Sequence, residues 1–503
     1  MRTKTSLYNT ACAMLLQVVN LVVNLILPRV LMDVYGSAVN GLVSSIRQFI
    51  GYLSIVEAGL AGAAVYALYK PLAEKNQEKV NGILSASNRF YNISGFLFSA
   101  LVLVSTFIYP LFISEQGVEP MTIAMLVVII GASGAFEFFA IGKYKVLLTA
   151  DQRSYVISLI NAIAITLNSV VILVMAKLAF DIVLVQFVAM LSFLLRSLFY
   201  GLYCRKRYTT INYKVEPDNK ALDKRWDSLA LQVLGVVTVG TPVIVTTFFC
   251  GLAEASVYTI FNMVFASVLA LLSTFNNGLS ASFGDLLVRN ETGVLQKAYK
   301  QYEFLYYALL GWGYACAAIL IMPFINIYTA GITDANYIRP EIAWLFVAVG
   351  LLYNAKTPQG MLVISAGHYK ETKLQTLFQA LINIVASVVL AQFYGMAGVL
   401  MGSVLSNLYR VIDLIIYIPK NVTKLPIRMT VIRVLRMLIL FGLSVAPFVF
   451  FITINVTNYL GWLVWAFLSG IWAFVVFAAG NILCELSTTK EILERIRWMI
   501  KKA

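Results

Sequence analysis

Long apolar stretches recur from one end of the chain to the other, separated by short polar or charged breaks. A helix needs roughly 20 residues, at about 1.5 Å of rise each, to cross the hydrocarbon core of a bilayer. Division at the breaks predicts about fourteen spans, at residues 6–31, 38–69, 88–112, 121–148, 154–176, 180–204, 227–250, 255–288, 301–325, 340–365, 373–392, 397–419, 430–453 and 459–483. The pattern therefore predicts an all-α polytopic membrane protein.

The first span carries a polar stripe that is unusual for a helix in lipid. Gln17, Asn20 and Asn24 are three and four residues apart and share one helix face, and Pro28 permits a bend nearby. Buried amides are costly unless they are hydrogen-bonded. The stripe therefore lines a hydrated cavity or packs against another helix and bonds to it. We expect the cavity.

The two halves of the chain repeat at an offset of about 215 residues. Four local matches in the same order support this repeat, and they place Gln17 on Gln232, Asn76 on Asn290, Ser169 on Ser387 and Arg196 on Arg410. Six spans per half predict two lobes related by a pseudo-twofold axis along the membrane normal, around a central cavity. The last two spans have no counterpart in the repeat.

This repeat predicts five regions along the chain. They are an N-lobe at 1–204, a basic cytoplasmic linker at 205–226, a C-lobe at 227–420, two added spans at 421–487 and an amphipathic tail at 488–503 that lies on the inner leaflet.

Composition supports the membrane assignment and explains the charge. Hydrophobic residues make up 60% of the 503, charged residues make up 12%, and the mean hydropathy is +0.82. The net charge of +14 would suit a nucleic-acid binder, but 31 of the 38 lysines and arginines fall in alternate loops. The positive-inside rule then places both termini in the cytoplasm. The basic excess needs no nucleic-acid partner.

Basic residues at membrane depth are the main candidates for substrate binding. Arg47 lies well inside the second span and is the strongest of them, whereas Arg29 lies at the outer mouth and is weaker. Lys356 precedes a Pro/Gly break in the tenth span. The repeat-related Arg196 and Arg410 either contact an anion in the inner cavity or extend their side chains to the interface.

Acidic residues within the spans offer a second class of site. Glu57, Glu137 and Asp285 are candidate ligands for a coupling proton or Na⁺, and each is equally suited to a structural ion pair. Asp413 lies one turn from Arg410 and is expected to neutralise it. The coupling ion stays open at this stage, and neither a cofactor nor a metal is expected.

The intramembrane charges favour binding of a phosphorylated headgroup over catalysis. Guanidinium groups form bidentate hydrogen bonds with phosphate oxygens, so uncompensated arginines in a cavity suit a phosphate or diphosphate. His368, the single histidine, falls at a helix end where an interfacial role is expected. The sequence has neither a Walker-type glycine loop nor a repeated selectivity-filter loop, which disfavours direct use of ATP and an ion channel.

The segment LPRVLMDVYGSAVNGLVSSIRQFIGYLSIVEAGLAGAAVYALYKPLAEKN, residues 27–76, resembles the first two spans and following loop of Gram-positive polysaccharide-repeat flippases. These are the Wzx-like proteins of the multidrug/oligosaccharidyl-lipid/polysaccharide exporter superfamily, whose length, span number and duplicated lobes also fit. The resemblance implies outward transfer of an undecaprenyl-diphosphate-linked oligosaccharide by alternating access, for a capsule or other surface polysaccharide. It also implies a bacterial plasma membrane and a diphosphate-handling role for Arg47.

Other functions stay open beside this one. A flippase for lipid II or a teichoic-acid precursor would share a cationic cavity, whereas a cation-coupled multidrug exporter should display mainly acidic residues there. A membrane-embedded polymerase or ligase would need a large extracytoplasmic loop, and the predicted outer loops are short. We therefore expect a transporter rather than an enzyme. Its expected partners are the bilayer, the lipid-linked oligosaccharide and the polysaccharide polymerase and glycosyltransferases of the same synthesis.

Overall fold

The structure is a computed structural model that describes residues 2–54, 60–113, 118–213, 215–218, 225–277, 280–289, 291–492 and 494. Its described elements are helical. They are α1 (Arg2–Leu53), α2 (Leu60–Ala73), α3 (Gln77–Ile113), α4 (Pro120–Phe136), α5 (Gly142–Ala150), α6 (Ser154–Lys177), α7 (Ile182–Arg207), α8 (Arg225–Cys250), α9 (Leu252–Asn277), α10 (Ser280–Val288), α11 (Thr292–Tyr328), α12 (Pro340–Ala355), α13 (Thr357–Ser365), α14 (Tyr369–Ile418), α15 (Ile427–Phe450) and α16 (Tyr459–Cys484). Two π-helical turns follow α4 and α14, at Glu137–Ile141 and Pro419–Thr423.

Helix ends coincide with local stop and start signals in the sequence. Proline occupies the first helical position of α4 and α12, where its missing N–H group removes no hydrogen bond. The side chains of Asp181 and Asn458 accept hydrogen bonds from main-chain N–H groups at the starts of α7 and α16. Apolar runs between these signals are therefore long and uninterrupted.

Eleven helices of the described chain are long and apolar enough to cross a membrane. Two of them, at Tyr8–Leu53 and Tyr369–Thr423, contain 46 and 55 residues, which is about twice what one crossing requires. Each of these two is interrupted by a glycine with positive φ, Gly36 or Gly395. If each of these two helices counts as two spans, and α12 and α13 together count as one further span, the structure accommodates fourteen crossings. The all-α polytopic architecture predicted from sequence is confirmed.

Contacts within the N-terminal part show that α1 reverses direction at Gly36. The side chain of Asn9 donates to the carbonyl of Gln152, at 2.9 Å, just before α6 begins. The hydroxyl of Tyr35 donates to the carbonyl of Phe180, at 2.6 Å, just after α6 ends. The first half of α1, residues 2–35, therefore runs beside α6 in the same direction.

The second half of α1, residues 37–53, runs back along α8. Gly41 lies against the carbonyl of Leu252, just beyond the end of α8, and the hydroxyl of Tyr52 donates to the carbonyl of Val237, at 3.2 Å, nearer the start of α8. This half of α1 therefore runs antiparallel to α8. Because α7 alone separates α6 from α8 and successive crossings alternate in direction, α6 and α8 run the same way. One half of α1 is parallel to α6 and the other is antiparallel to α8, so the two halves form a helical hairpin.

By packing, the chain forms two compact units, Met1–Thr259 and Ile260–Ala503. In unit 1, α4, α6 and α8 pack against the hairpin of α1, and α3 and α7 pack against α4. In unit 2, α11 packs on α12, α15 and α16, and α12 packs on α14. The predicted lobes follow the sequence repeat rather than packing, so the lobe boundaries and the central cavity stay predictions. Most of the predicted amphipathic tail lies outside the described residues.

Candidate substrate-binding site

The first half of α1 presents three different faces, roughly a third of a turn apart at about 100° per residue. One face holds its least exposed positions, which are Cys12, Leu16, Val19, Val23 and Leu27. A second face holds bulky apolar side chains that are 42 to 57% exposed, namely Leu15, Val18, Val22 and Leu25. The third face holds the polar stripe. The first face suits helix packing, the second suits lipid, and the third suits neither.

The polar stripe is accessible and unpaired in the structure. Gln17 and Asn24 are exposed and Asn20 is half-buried. Within the described part of the chain, their amides have no hydrogen-bond partner. The alternative in which the stripe bonds across to a packed helix is therefore absent from this structure. An unpaired amide at membrane depth is stable only against water or a polar ligand.

Arg47 occupies a comparable position on the second half of α1. Between residues 37 and 54 the exposed positions are Arg47 and Gly51, one turn apart, and this segment exposes no large hydrophobic side chain. It therefore has no lipid-facing surface of the kind that Leu15 and Val18 form. Among described residues, Arg47 has neither an acidic partner nor a hydrogen bond. Its guanidinium is uncompensated and open to a ligand.

The hairpin brings Arg47 and the polar stripe to a similar depth. Arg47 lies eleven residues after Gly36 and Asn24 lies twelve residues before it. At 1.5 Å per residue, each is about 17 Å along its helix from the reversal. The stripe then continues through Asn20 to Gln17, away from the reversal and towards the start of α1. A guanidinium thus lies level with one end of an amide stripe.

The remaining candidates of unit 1 are less available. Arg29 forms an ion pair with Asp33, at 3.0 Å, one turn away. Gln232 falls within α8, and nothing is described of its side chain. Glu57 lies outside the described residues. Among the predicted site residues of unit 1 that the structure describes, Arg47 is the cation without an acidic partner.

Two predicted site residues, Glu137 and Arg196, bind each other. One carboxylate oxygen of Glu137 accepts from Arg196 and the other accepts from Lys145, so both oxygens face cations. Asn161 accepts a further, longer hydrogen bond from Arg196, at 3.4 Å. Glu137 begins the π-helical turn between α4 and α5, a feature often found at functional sites. The carboxylate has no free oxygen for a coupling ion in this arrangement.

In unit 2, Lys356 is a cation without an acidic partner among the described residues. It lies at the break between α12 and α13 and donates to the side-chain oxygen of Asn407, at 2.7 Å. Its ammonium group also lies over the ring of Tyr353, 4.7 Å from the centroid. Both partners are uncharged, so the positive charge of the half-buried Lys356 is held in place but not neutralised.

The other predicted residues of unit 2 are paired. Arg410 donates to Asp413, at 2.5 Å, and to Thr376, at 3.0 Å, and it is buried. The neutralisation expected from the spacing of Arg410 and Asp413 is confirmed. Asp285 forms an exposed ion pair with Arg289 one turn away, at 3.0 Å. In the described part of the chain, no three metal-ligating side chains come together.

Unit 2 also contains a buried ion network that was not evident from the sequence. Glu303 is fully buried and accepts from Arg433, at 3.0 Å, and from Gln359, at 3.2 Å. Arg433 and Arg436 both donate to Glu485, at 3.1 and 3.0 Å. Both arginines lie near the start of α15, within the predicted span 430–453. Their spacing of three residues within an apolar run was the available signal of a shared buried face.

Comparisons with known proteins place the fold. No protein-family model matches the chain, and no curated protein matches its sequence. It is similar to a solved structure described as the inward-facing conformation of a multidrug resistance MATE family transporter of the MOP superfamily, with a TM-score of 0.63 and 14% identity over 86% of this chain and 98% of that one. It is also similar to lipid II flippase MurJ in an inward closed conformation, with a TM-score of 0.66 and 16% identity over 93% of this chain and 99% of that one. The chain therefore has the fold of these MOP superfamily structures.

Proposed function

We propose that the protein is a Wzx-like flippase that moves an undecaprenyl-diphosphate-linked oligosaccharide repeat unit from the inner to the outer leaflet by alternating access. It acts in a bacterial plasma membrane, with both termini in the cytoplasm, and supplies capsule or other surface polysaccharide synthesis. The observation that carries the proposal is Arg47, an exposed and unpaired guanidinium on a helix segment without a lipid-facing side chain.

The charge of the available groups supports an anionic headgroup. A diphosphate accepts charge-assisted hydrogen bonds, and the bidentate geometry of arginine fits its oxygens. Lys356, in unit 2, likewise has no acidic partner in the described chain. Glu137, in contrast, has both oxygens occupied by cations, which disfavours a cationic drug as its ligand. The amide stripe, whose end at Asn24 lies level with Arg47, suits the sugar part of the substrate.

Two alternative functions come from the structures that share the fold. The MurJ structure is described as a lipid II flippase, and a flippase for lipid II or for a teichoic-acid precursor would use the same cationic groups. The MATE structure is described as a multidrug transporter, and that alternative would need acidic groups free to bind a cation. Polysaccharide polymerase and glycosyltransferases remain the proposed partners. Na⁺ and H⁺ remain alternative coupling ions.

The decisive test replaces Arg47. We expect Arg47→Ala to insert and accumulate like the wild type but to lose transport, because the substitution removes a binding charge and leaves the packed faces of α1 unchanged. Surface polysaccharide should fall to background in cells whose single copy is the variant. Mass spectrometry should find accumulated undecaprenyl-diphosphate-linked oligosaccharide, and the mass of its glycan separates a polysaccharide repeat from lipid II or a teichoic-acid precursor.

Arg89→Ala is the matched control, because Arg89 is another exposed arginine of unit 1 outside the proposed site. It should support normal polysaccharide. Normal polysaccharide in cells that carry Arg47→Ala alone would contradict the proposed function.

A further inference from the structure

We propose that Gln17, Asn20 and Asn24, which we call the amide ladder, bind the hydroxyl groups of uncharged sugars that directly follow the diphosphate of the substrate. The inference rests on the proposed function and deepens it, because it assigns the substrate a neutral proximal glycan. The assignment follows from the accessibility of the amides, their spacing, their depth relative to Arg47 and the absence of charged residues from α1 and α6 along their length.

Spacing and depth fit a chain of sugars attached to a diphosphate. Gln17 and Asn24 are seven residues apart, so the ladder extends about 10 Å along one face of α1. Asn24 lies level with Arg47, and Gln17 lies farthest from it. A diphosphate at Arg47 would therefore direct its first linked sugars along the ladder, from Asn24 to Gln17.

The chemistry of the ladder suits hydroxyl groups. A primary amide presents one carbonyl acceptor and two N–H donors. A sugar hydroxyl also donates and accepts, so each amide can form a pair of complementary hydrogen bonds with one or two hydroxyls. Because the three amides have no partners in the described chain, these bonds would replace bonds to water and break none within the protein.

Neither α1 nor α6 carries a charged residue along the length of the ladder. In α1 there is no charged residue between Lys4 and Arg29, and in α6, which runs beside it, there is none between Ser154 and Lys177. A carboxylate or sulfate on a sugar at this level would lose hydration without gaining a cation. The charge of Arg47 is matched to the diphosphate. The ladder should therefore favour neutral sugars over uronic acids.

The test measures binding by the full-length protein in lipid nanodiscs with three probes. These are a short-chain polyprenyl diphosphate, the same lipid with a neutral disaccharide, and the same lipid with a disaccharide whose first sugar is a uronic acid. For the wild type we expect the neutral-disaccharide probe to bind at least tenfold more tightly than the bare diphosphate, and the uronic-acid probe to show no such gain.

Variants separate the two parts of the site. The triple variant Gln17→Leu/Asn20→Leu/Asn24→Leu should bind the bare diphosphate like the wild type but lose the tenfold gain from the neutral disaccharide. Arg47→Ala should weaken all three probes. Val22→Leu, on the lipid-facing side of the same helix, is the matched control and should change nothing. Asn24→Gln, which keeps the amide, should keep most of the gain.

Each other outcome contradicts one of the two proposals. If the triple variant still binds the neutral-disaccharide probe tenfold more tightly than the bare diphosphate, the amide ladder does not bind sugar. An equal gain in affinity for the uronic-acid probe would likewise contradict the preference for neutral sugars. Either result would leave the diphosphate site standing. If the wild type binds none of the three probes, the proposed function fails and the ladder inference fails with it.

Discussion

Arg47 and Arg196 carry the same group in the same unit of the chain, but their surroundings give them different roles. Arg196 is bound to Glu137 and stacks on the ring of Phe193, 5.0 Å from the centroid. Arg47 is exposed, and within the described residues it has no carboxylate beside it. A paired guanidinium stabilises the protein that holds it, whereas an unpaired one at membrane depth is available to a ligand.

The pair Glu137–Arg196 should behave as a structural ion pair. We expect Glu137→Gln to lower the melting temperature, because Arg196 and Lys145 then lose their carboxylate. The free energy of unfolding should fall by about 3 kcal/mol, as when a buried ion pair is broken. The double variant Glu137→Gln/Arg196→Gln should regain most of that loss and should transport. Melting curves of the purified variants, with transport assays alongside, provide the measurement. A stable double variant without transport would instead indicate that Glu137 or Arg196 takes part directly in transport.

At the scale of one element, α1 contributes both halves of the proposed site because Gly36 reverses it. The return half fits closely against the corner between α8 and α9. Asn40 donates to Ser256, at 2.7 Å, and Thr247 donates to Ser45, at 2.7 Å. These buried bonds fix the rotation of the return half, and that rotation leaves Arg47 exposed.

Gly41 permits this close approach. A Cβ atom at Gly41 would lie 1.8 Å from the carbonyl oxygen of Leu252, and a main-chain atom cannot move aside as a side chain can. We therefore expect Gly41→Ala to reduce the yield of folded protein severely, measured by fluorescence-detected size-exclusion chromatography. Gly51→Ala is the matched control in the same half-helix, where nothing lies within 4 Å. If Gly41→Ala gives the same yield of folded protein as Gly51→Ala, the contact between Gly41 and Leu252 is less close than in the structure.

At the scale of the whole molecule, the two added helices are integrated into unit 2. Arg433 on α15 joins Glu303 on α11 to Glu485, which follows α16. Gln359 links the same carboxylate to α13, three residues after the break at Lys356. Indole N–H groups on α16 also donate to main-chain carbonyls of α11 and α15, at 3.2 and 3.0 Å. Helices without a counterpart in the repeat thus support the core of this unit.

Truncation should show this dependence. Ending the chain after Thr423 leaves the buried Glu303 without Arg433, and removing one partner of a buried ion pair costs about 3–5 kcal/mol. We expect this truncated protein to aggregate or be degraded, and Glu303→Gln to rescue it partly by removing the unpaired charge. A chain ended after Glu494 keeps every contact of the network and should remain monodisperse in detergent. A stable, monodisperse protein ending at Thr423 would refute the structural role of the added helices.

The sequence predicted the helices well because hydropathy and helix breakers act locally. Span number, helix class and the pairing of Arg410 with Asp413 all depend on neighbours within a few turns. The partners of Glu137 and Glu303 were not predictable in this way, since Arg196 is 59 residues and Arg433 is 130 residues away in the chain. No local pattern specifies which of several intramembrane charges will meet.

Thus the sequence by itself determined that the chain is all-helical and crosses the membrane many times, because the bilayer imposes the same length and polarity on every helix. Only the tertiary structure decided that Arg196 and Arg410 are neutralised while Arg47 and Lys356 have no acidic partner in the described chain. The reason is that the charge available to a ligand depends on which side chains packing brings within hydrogen-bonding distance.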